Sequence, residues 1–570
     1  MSLKNITKLN LLGASLAVIT ALPANAVEVP GIVNPGQVEK RFENNKPDLS
    51  MPDFELPVVS DVGELSAAAK KQLEENKFTL KKIEIEGATV FSADELKFAY
   101  EDKIGQKISL LDARSIAKKI TEYYRKNGYI LSQAVIPAQE LQDGVLKIKV
   151  VEGYVGSFVI QGDISEGQKE VLSGYAANLI KSKPIRTQDM ERYLLLMNDL
   201  PGAKVKGLLR PSTSQFGAAE LVLKVEDKAF AGSYNINNRG SEYIGPWQHT
   251  LSGSANSLMG MYDQTNVRFS TTNPTTEMRS YEIQHGHVIG DEGLKLSGRY
   301  SHTHTEPGYT LKPVQIVGDS DLFELKAEYP LVRSRNENLI PRISLEAHDT
   351  DTDVFKNVDF TVDRLRVARL GTYYDLHDDF AGYNSFTWVL SQGIDALGAS
   401  DSGINRSNPI GQPDFTKVNF DASREQGVYG PFSILGALSS QYSANPLYVS
   451  EQFSLGGEDF GRAYDPAEVL GDSGIIGKLE MRFDDQVGAE YLEGYQLYGY
   501  YDLGRTWSRK VPHAANEKQS IASAGFGVRS NFTENLYGNV ELAFPLTKEV
   551  STRSGNDNSP RLFVNFLAQF

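Results

Sequence analysis

Arg561-Leu562-Phe563-Val564-Asn565-Phe566-Leu567-Ala568-Gln569-Phe570 closes the chain and decides how the rest is read. Side chains of an extended segment alternate between two faces. Leu562, Val564, Phe566, Ala568 and Phe570 therefore share one face. Arg561, Asn565 and Gln569 lie on the other, with Phe563 and Leu567 as apolar exceptions. A strand that is apolar on one side and polar on the other suits lipid outside and water inside, the pattern of a transmembrane β-barrel. The chain ends on the aromatic Phe570 itself.

The same texture extends back to Lys228. Short alternating runs at 266–270, 280–288, 294–300, 322–329, 364–373 and 495–502 are separated by Gly, Asn, Asp, Ser and Pro. At roughly 21 residues per strand and connection, residues 228–570 hold about 16 strands, an even number as such barrels need. A soluble β-sandwich has similar strands but rarely runs this far without a second domain boundary. The sequence therefore predicts a transmembrane antiparallel β-barrel over 228–570.

Composition agrees. The 570 residues leave room for further modules before the barrel. The 58 Lys+Arg against 73 Asp+Glu give a net charge of −15, which argues against a nucleic-acid partner held on a basic face. A mean hydropathy of −0.33 excludes a bundle of spanning helices, each needing about 20 apolar residues. Strands of about 9–11 alternating residues escape that average. There is no Cys, which excludes disulfides, thiolate chemistry and Cys-based metal sites and fits an oxidising periplasm.

Residues 1–26 read as a signal peptide. Lys4 and Lys8 are followed by a largely apolar core at 11–22, and Ala24-Asn25-Ala26 forms the cleavage site. Within 27–78, a polar stretch at 37–45 has helical character, and Pro47, Pro52 and Pro57 make 46–60 an extended linker. A helix this polar suits a wet cavity or stays disordered, and composition leaves both open.

Residues 79–153 predict a small α/β module of order β-α-α-β-β. A strand at 79–85 precedes a short helix at 92–100 and a second helix capped by Asp112 and ended by Gly128. Ala113, Ile116, Ile120 and Tyr123 form its apolar face. Strands follow at 130–137 and 145–151, the latter with Leu146, Ile148 and Val150 on one side. The same order returns over 154–227: a strand around Phe158 and Ile160, helices near 166–180 and 187–198, and strands at 205–210 and 221–225. Neither copy has a nucleophile beside a base or a phosphate-cradling Gly loop. Exposed edges of such sheets can receive an extended peptide by strand addition.

Other motifs carry less. Gly471-Asp472-Ser473-Gly474 imitates a serine-protease nucleophile but leads into a barrel strand at 475–483. His285/His287 and His302/His304 are strand pairs able to ligate a metal, without an evident acidic second shell. The reading therefore has no catalytic residue, no metal and no cofactor.

The chain resembles the TpsB family, the outer-membrane transporters of two-partner secretion in the BamA-like superfamily. In the first module, Gly128-Tyr129-Ile130, Pro137-Ala138-Gln139 and the run from Gly144-Val145-Leu146 to Glu152-Gly153 look like the first POTRA signature. Asn198-Asp199-Leu200-Pro201-Gly202 looks like the second. Asn237-Asn238-Arg239-Gly240-Ser241 and the stretch 256–263 are similar to the first barrel strands. The most specific likeness is Leu455-Gly456-Gly457-Glu458-Asp459-Phe460-Gly461-Arg462-Ala463-Tyr464, which resembles the tip of the long sixth extracellular loop, V/I-R-G-F/Y. Arg462 and Tyr464 match, while Gly461 and Ala463 depart. Tyr500-Tyr501-Asp502-Leu503-Gly504 resembles the inner-strand motif that receives the loop arginine, which makes Asp502 its expected partner.

The resemblance implies two POTRA domains, 79–153 and 154–227, in the periplasm of a Gram-negative cell, and a barrel in the outer membrane. It implies export of a large TpsA-type exoprotein, an adhesin, haemolysin or contact-dependent toxin, by POTRA capture and passage through the barrel without ATP. The 37–45 stretch takes the place of the plug helix. Phe566 and Phe570 would form the C-terminal signal read by the barrel assembly machinery. The alternative is a BamA-type assembly factor, but those usually carry three or more POTRAs and only two fit here.

Overall fold

The computed structural model describes residues 30–42, 49, 66–212, 215–356, 358–509, 517–553 and 558–570. The expected signal peptide and all of the proline linker but Leu49 lie outside the described residues.

The first α/β module departs from the expected β-α-α-β-β in its first half, where no α-helix forms and an added strand, Lys107–Ser109, pairs with Lys77–Thr79. Its sheet runs Lys82–Glu86, Val145–Val151, Gln133–Val135, the first pair parallel and the second antiparallel. Leu146, Ile148 and Val150 of the central strand pack in one core with Ile116, Ile120 and Tyr124 of the helix Leu110–Lys126. The strand expected at 79–85 is broken at Leu80, which turns fully into that core. The helix expected at 92–100 is two 3-10 turns, Lys97–Ala99 and Glu101–Lys103. Nine residues cannot sustain a helix on propensity alone, and Leu96, Ala99 and Tyr100 reach the core without one. The strand expected at 130–137 shortens to Gln133–Val135. The N-cap of Leu110–Lys126 is Ser109 rather than Asp112. Ser109 Oγ accepts from Asp112 N at 3.1 Å, and the Asp112 carboxylate accepts from Ser109 N at 2.9 Å. Gly128 takes φ +87° and ends the helix.

The second module follows its expectation closely, with Tyr154–Gln161, helices Glu166–Lys181 and Thr187–Asn198, then Ala203–Pro211 and Ala218–Asp227. Leu172, Tyr175, Leu194, Met197, Leu221 and Leu223 fill its core.

Sixteen antiparallel strands then close a barrel, with the two-residue strand Val332–Arg333 added on one turn. The last strand, Arg561–Gln569, pairs with both Leu536–Pro545 and the first strand, Phe230–Asn237. Phe570 N donates to Gly232 O at 3.0 Å, and Gly232 N to Phe570 O at 2.9 Å, which ties the end of the chain to the start of the barrel. Leu251, Leu345, Met481, Leu503, Phe526 and Leu562 point outward and are 51–62% exposed, the apolar belt that lipid covers. Ser280, Thr303, Ser320, Asp375, Glu480 and Glu541 are buried inside. The exception Phe563 is also inside, beneath the guanidinium groups of Arg239 (4.2 Å) and Arg561 (4.9 Å).

The second module is docked on the barrel turns at one end. Asp199 receives Arg333 bidentately (2.7 and 2.8 Å), with the Arg333 side chain fully buried. Arg192 donates to Pro330 O at 2.8 Å, and Ser165 Oγ donates to Gly260 O at 2.8 Å.

Candidate functional site: a loop and a helix inside the barrel

Residues 444–472 connect the strands Phe432–Ser443 and Ser473–Ala489 and fold back into the barrel. A short ribbon, Phe453–Leu455 against Val469–Gly471, forms their stem. The tip then turns sharply. Gly456 has φ +106°, and a Cβ there would fall 2.1 Å from Asp465 O. Gly457 follows at φ +109°. Only glycine accommodates this path.

Arg462 lies at the tip and is 3% exposed. Its Nε meets Asp502 Oδ2 at 3.1 Å and its Nη2 meets Asp502 Oδ1 at 2.9 Å, a bidentate pair. Nη1 pairs with Glu480. The guanidinium lies 3.4 Å from the centre of the Tyr500 ring. Tyr500 OH donates to Glu541 (2.8 Å), which also pairs with Arg239 (2.9 Å), and Arg239 Nη1 donates to Arg462 O at 3.1 Å. Glu480 further receives Arg482 and Arg529, each at 2.8 Å.

Of the two departures from the family pattern, Gly461 has a physical reason. Gly461 has φ +69°, its N–H donates to Asp502 Oδ2 at 3.0 Å, and a Cβ would fall 2.6 Å from Ile521 Cδ1. Ala463 is fully buried, and its carbonyl accepts from Arg561 at 3.0 Å. Tyr464 OH donates to Ala522 O at 3.1 Å and accepts from the backbone N–H groups of Thr547 and Lys548, both at 3.2 Å. Phe460 sits under Lys478 Nζ at 4.9 Å. Gly504 is bare where a Cβ would fall 2.7 Å from Ile476, so Ile476 fills that space. Gly456, Gly457, Phe460, Arg462, Tyr464, Asp502 and Gly504 therefore converge, whereas Phe566 and Phe570 lie apart on the outer face at the barrel seam.

Sequence reasoning missed Glu480, Arg239 and Glu541. Lys478, Glu480 and Arg482 alternate within the strand Ser473–Ala489. Charges at every second position of a lipid-facing strand mark its inner face, and that pattern could have found Glu480.

Of the polar stretch expected at 37–45, residues 37–40 belong to the helix Pro35–Lys40 and 43–45 lie outside the described residues; Asn34 caps the helix, its Oδ1 accepting from Gln37 N at 3.2 Å. Of the two states composition allowed, these residues take the enclosed one. Glu39 is buried against the wall, where it accepts from Ser301 and from Ser320 (3.0 Å) and lies 3.2 Å from His348 Nε2. Burial pushes the Glu39 carboxyl up, but His348, Ser301 and Ser320 together hold it below its ordinary value. Val33 and Val38 pack with Tyr243, Ile244 and Met278.

Asp472 of the protease-like motif accepts from Leu447 N (2.9 Å), Gln452 (3.2 Å) and Arg509 N (2.7 Å), and so braces the loop stem. His302 and His304 do have acidic neighbours, contrary to the sequence reading: Asp321 at 3.0 Å and Asp319 at 2.8 Å. These carboxylates come from the paired strand, which one-dimensional spacing does not show. Among the described residues no group of three or more such side chains is arranged to hold a metal.

Comparisons with known proteins agree with this plan. The family model for haemolysin secretion/activation protein ShlB/FhaC/HecB matches residues 217–530, and the ShlB-type POTRA domain model matches 78–153. The Heme/hemopexin transporter protein HuxB of Haemophilus influenzae (strain 86-028NP) is 24% identical over 465 residues, 80% of this chain and 81% of that protein. The outer membrane transporter CdiB of Escherichia coli O6:K15:H31 (strain 536 / UPEC) is 24% identical over 410 residues, 70% and 67% of the two chains. Among solved structures, CdiB from Escherichia coli superposes with a TM-score of 0.69 at 19% identity, covering 90% of this chain and 94% of that one. BamA from Haemophilus ducreyi lacking POTRA domains 1-3 gives 0.51 at 11% identity, over 86% of this chain and 100% of that one. With more than half of its length matched by the family model, the chain belongs to the haemolysin secretion/activation family ShlB/FhaC/HecB.

Proposed function

We propose that this outer-membrane translocator of two-partner secretion works as a passive conduit whose resting lumen is closed by its own N-terminal helix and sixth loop. The barrel lies in the outer membrane and the POTRA modules in the periplasm. There the modules capture the unfolded N-terminal region of a large secreted exoprotein. In the first module the strands Lys82–Glu86 and Gln133–Val135 are sheet edges, as are Tyr154–Gln161 and Ala203–Pro211 in the second. Such edges offer unpaired main-chain groups to an extended chain. The chain then passes through the lumen in an extended state, and folding outside supplies the free energy.

The observation that carries this reading is the Arg462 tip, held inside the barrel by Asp502 and Glu480. A buried pair that loses one partner leaves an uncompensated charge, at a cost of about 3–5 kcal/mol. That is enough to fix the course of a long loop through a pore. Arg462→Ala should therefore reduce secretion while the barrel still assembles. The check is exported partner measured against folded barrel, which migrates differently before and after heating. Unchanged secretion per folded barrel would remove the role given to Arg462.

A further inference from the structure

The sixth loop is held at a second place, and there the signs are reversed. Glu451 ends the 3-10 turn Val449–Glu451 and is 1% exposed. Its carboxylate receives Arg369 at 2.8 and 3.3 Å and Lys417 at 2.6 Å, both from barrel strands. Lys417 Nζ and Gln441 Nε2 also donate to the Glu451 carbonyl at 2.9 and 3.0 Å. Arg369 is paired in turn with Glu346 at 2.7 Å. At Arg462 the loop brings the cation and the wall the carboxylates; here the loop brings the carboxylate and the wall the cations.

The lumen helix rests on this same turn. Gln37 Nε2 donates to Val449 O and, at 3.3 Å, to Gln452 O, and Lys40 Nζ donates to Gln452 O at 3.2 Å. Gly36 approaches so closely that a Cβ there would fall 2.8 Å from Ser450 Cβ. These bonds end on backbone carbonyls flanking Glu451, so they form only while the turn is held in place. Val449 N also donates to Ser407 Oγ at 3.0 Å and Gln452 Nε2 to Asp472 at 3.2 Å, and the Glu451 cluster adds the charged part of the hold on this backbone.

We propose that Glu451 is a positioning residue: clamped by Arg369 and Lys417, it holds the 449–452 backbone as the seat of the lumen helix, and resting closure depends on that seat. The inference rests on the reading of residues 30–42 as the plug. The cluster of Glu346, Glu451, Arg369 and Lys417 balances two charges of each sign. Glu451→Gln keeps the shape but leaves a net positive charge buried beside the Lys40 end of the helix. Adding Lys417→Met restores neutrality, with Glu346 and Arg369 still paired and Gln441 still on the Glu451 carbonyl.

The test is single-channel recording of the full-length protein in planar bilayers, where unfolded chains contribute no channels. Deleting residues 30–42 should raise open-state occupancy. Glu451→Gln should raise it by about tenfold or more, since the closed state then loses a buried compensating charge. The double variant with Lys417→Met should fall back towards wild type. A deletion that leaves occupancy unchanged would overturn the plug reading and the seat with it. A deletion that opens the channel while Glu451→Gln stays at the wild-type level would overturn the seat alone. Opening by Glu451→Gln that Lys417→Met does not reverse would overturn the charge clamp.

Discussion

At the scale of single residues, Arg462 is defined by its shape as much as by its charge. Its planar fork spans both oxygens of Asp502 and still reaches Glu480. Lysine offers a point charge and cannot repeat that arrangement. Arg462→Lys should accordingly lose most of the secretion that Arg462→Ala loses, measured as exported partner per folded barrel. Gly461→Ala should disturb the tip without touching any charge, because its φ of +69° and the 2.6 Å approach to Ile521 both oppose a Cβ. Faster amide exchange of residues 461 and 462, whose N–H groups bond Asp502, would report that release. Glu468, in the same loop, adds a pH dependence. Burial pushes its carboxyl up to about 6 from an ordinary 4.5, partly offset by Lys548. The folded state therefore holds the proton more tightly than the unfolded one. Docking of the loop is strongest below about pH 4.5 and weakens as pH rises through about 6. Protection of the Tyr464 amide, which donates to Gly461 O at 2.9 Å, should fall across that window relative to its intrinsic exchange rate, and Glu468→Gln should flatten the response.

At the scale of elements, the second POTRA module is anchored to the barrel through the bidentate Asp199–Arg333 pair, fully buried on the arginine side. Asp199→Asn should cost about 3–5 kcal/mol at that contact, because the buried Arg333 loses its bidentate carboxylate. Faster exchange in Thr187–Asn198, with the barrel strands unaffected, is the expected result. The elements themselves were unequally legible. The central strand Val145–Val151 and the helices of the second module follow from periodicity, since each buries one clear face. The stretch 92–100 shows a helical pattern yet forms 3-10 turns, because three anchoring side chains suffice for its packing. Whether 37–45 had a seat could not be read from polarity alone. Its partners, Ser301, Ser320, His348 and the 449–452 backbone, come from segments hundreds of residues away. Arg462 with Asp502 was legible through family resemblance. The alternation of Lys478, Glu480 and Arg482 marks Glu480 as inward-facing, but only the fold shows that it meets the same arginine.

At the scale of the whole molecule, one alternating strand at the end of the chain sets the architecture. It closes the barrel, places Leu562 and Phe566 towards lipid, and stacks Phe563 beneath two arginines inside. Gly232 leaves room at the seam for the Phe570 ring, which a Cβ there would approach to 2.3 Å. Gly232→Val should lower the yield of heat-modifiable barrel, and an unchanged yield would show the seam to be more tolerant than its packing implies. The resulting cylinder separates two environments one residue apart: Gln284 lines a lumen cavity of about 460 Å³, while Ile283 is 48% exposed on the outer face. That alternation gives the most direct test of the lumen as the path of the exported chain. The protein has no cysteine, so a single thiol can be placed at will. With the exoprotein stalled in transit and carrying its own thiols, Gln284→Cys should cross-link to it and Ile283→Cys should not. Cross-linking from position 283 but not from 284, while export continues, would contradict passage through the barrel.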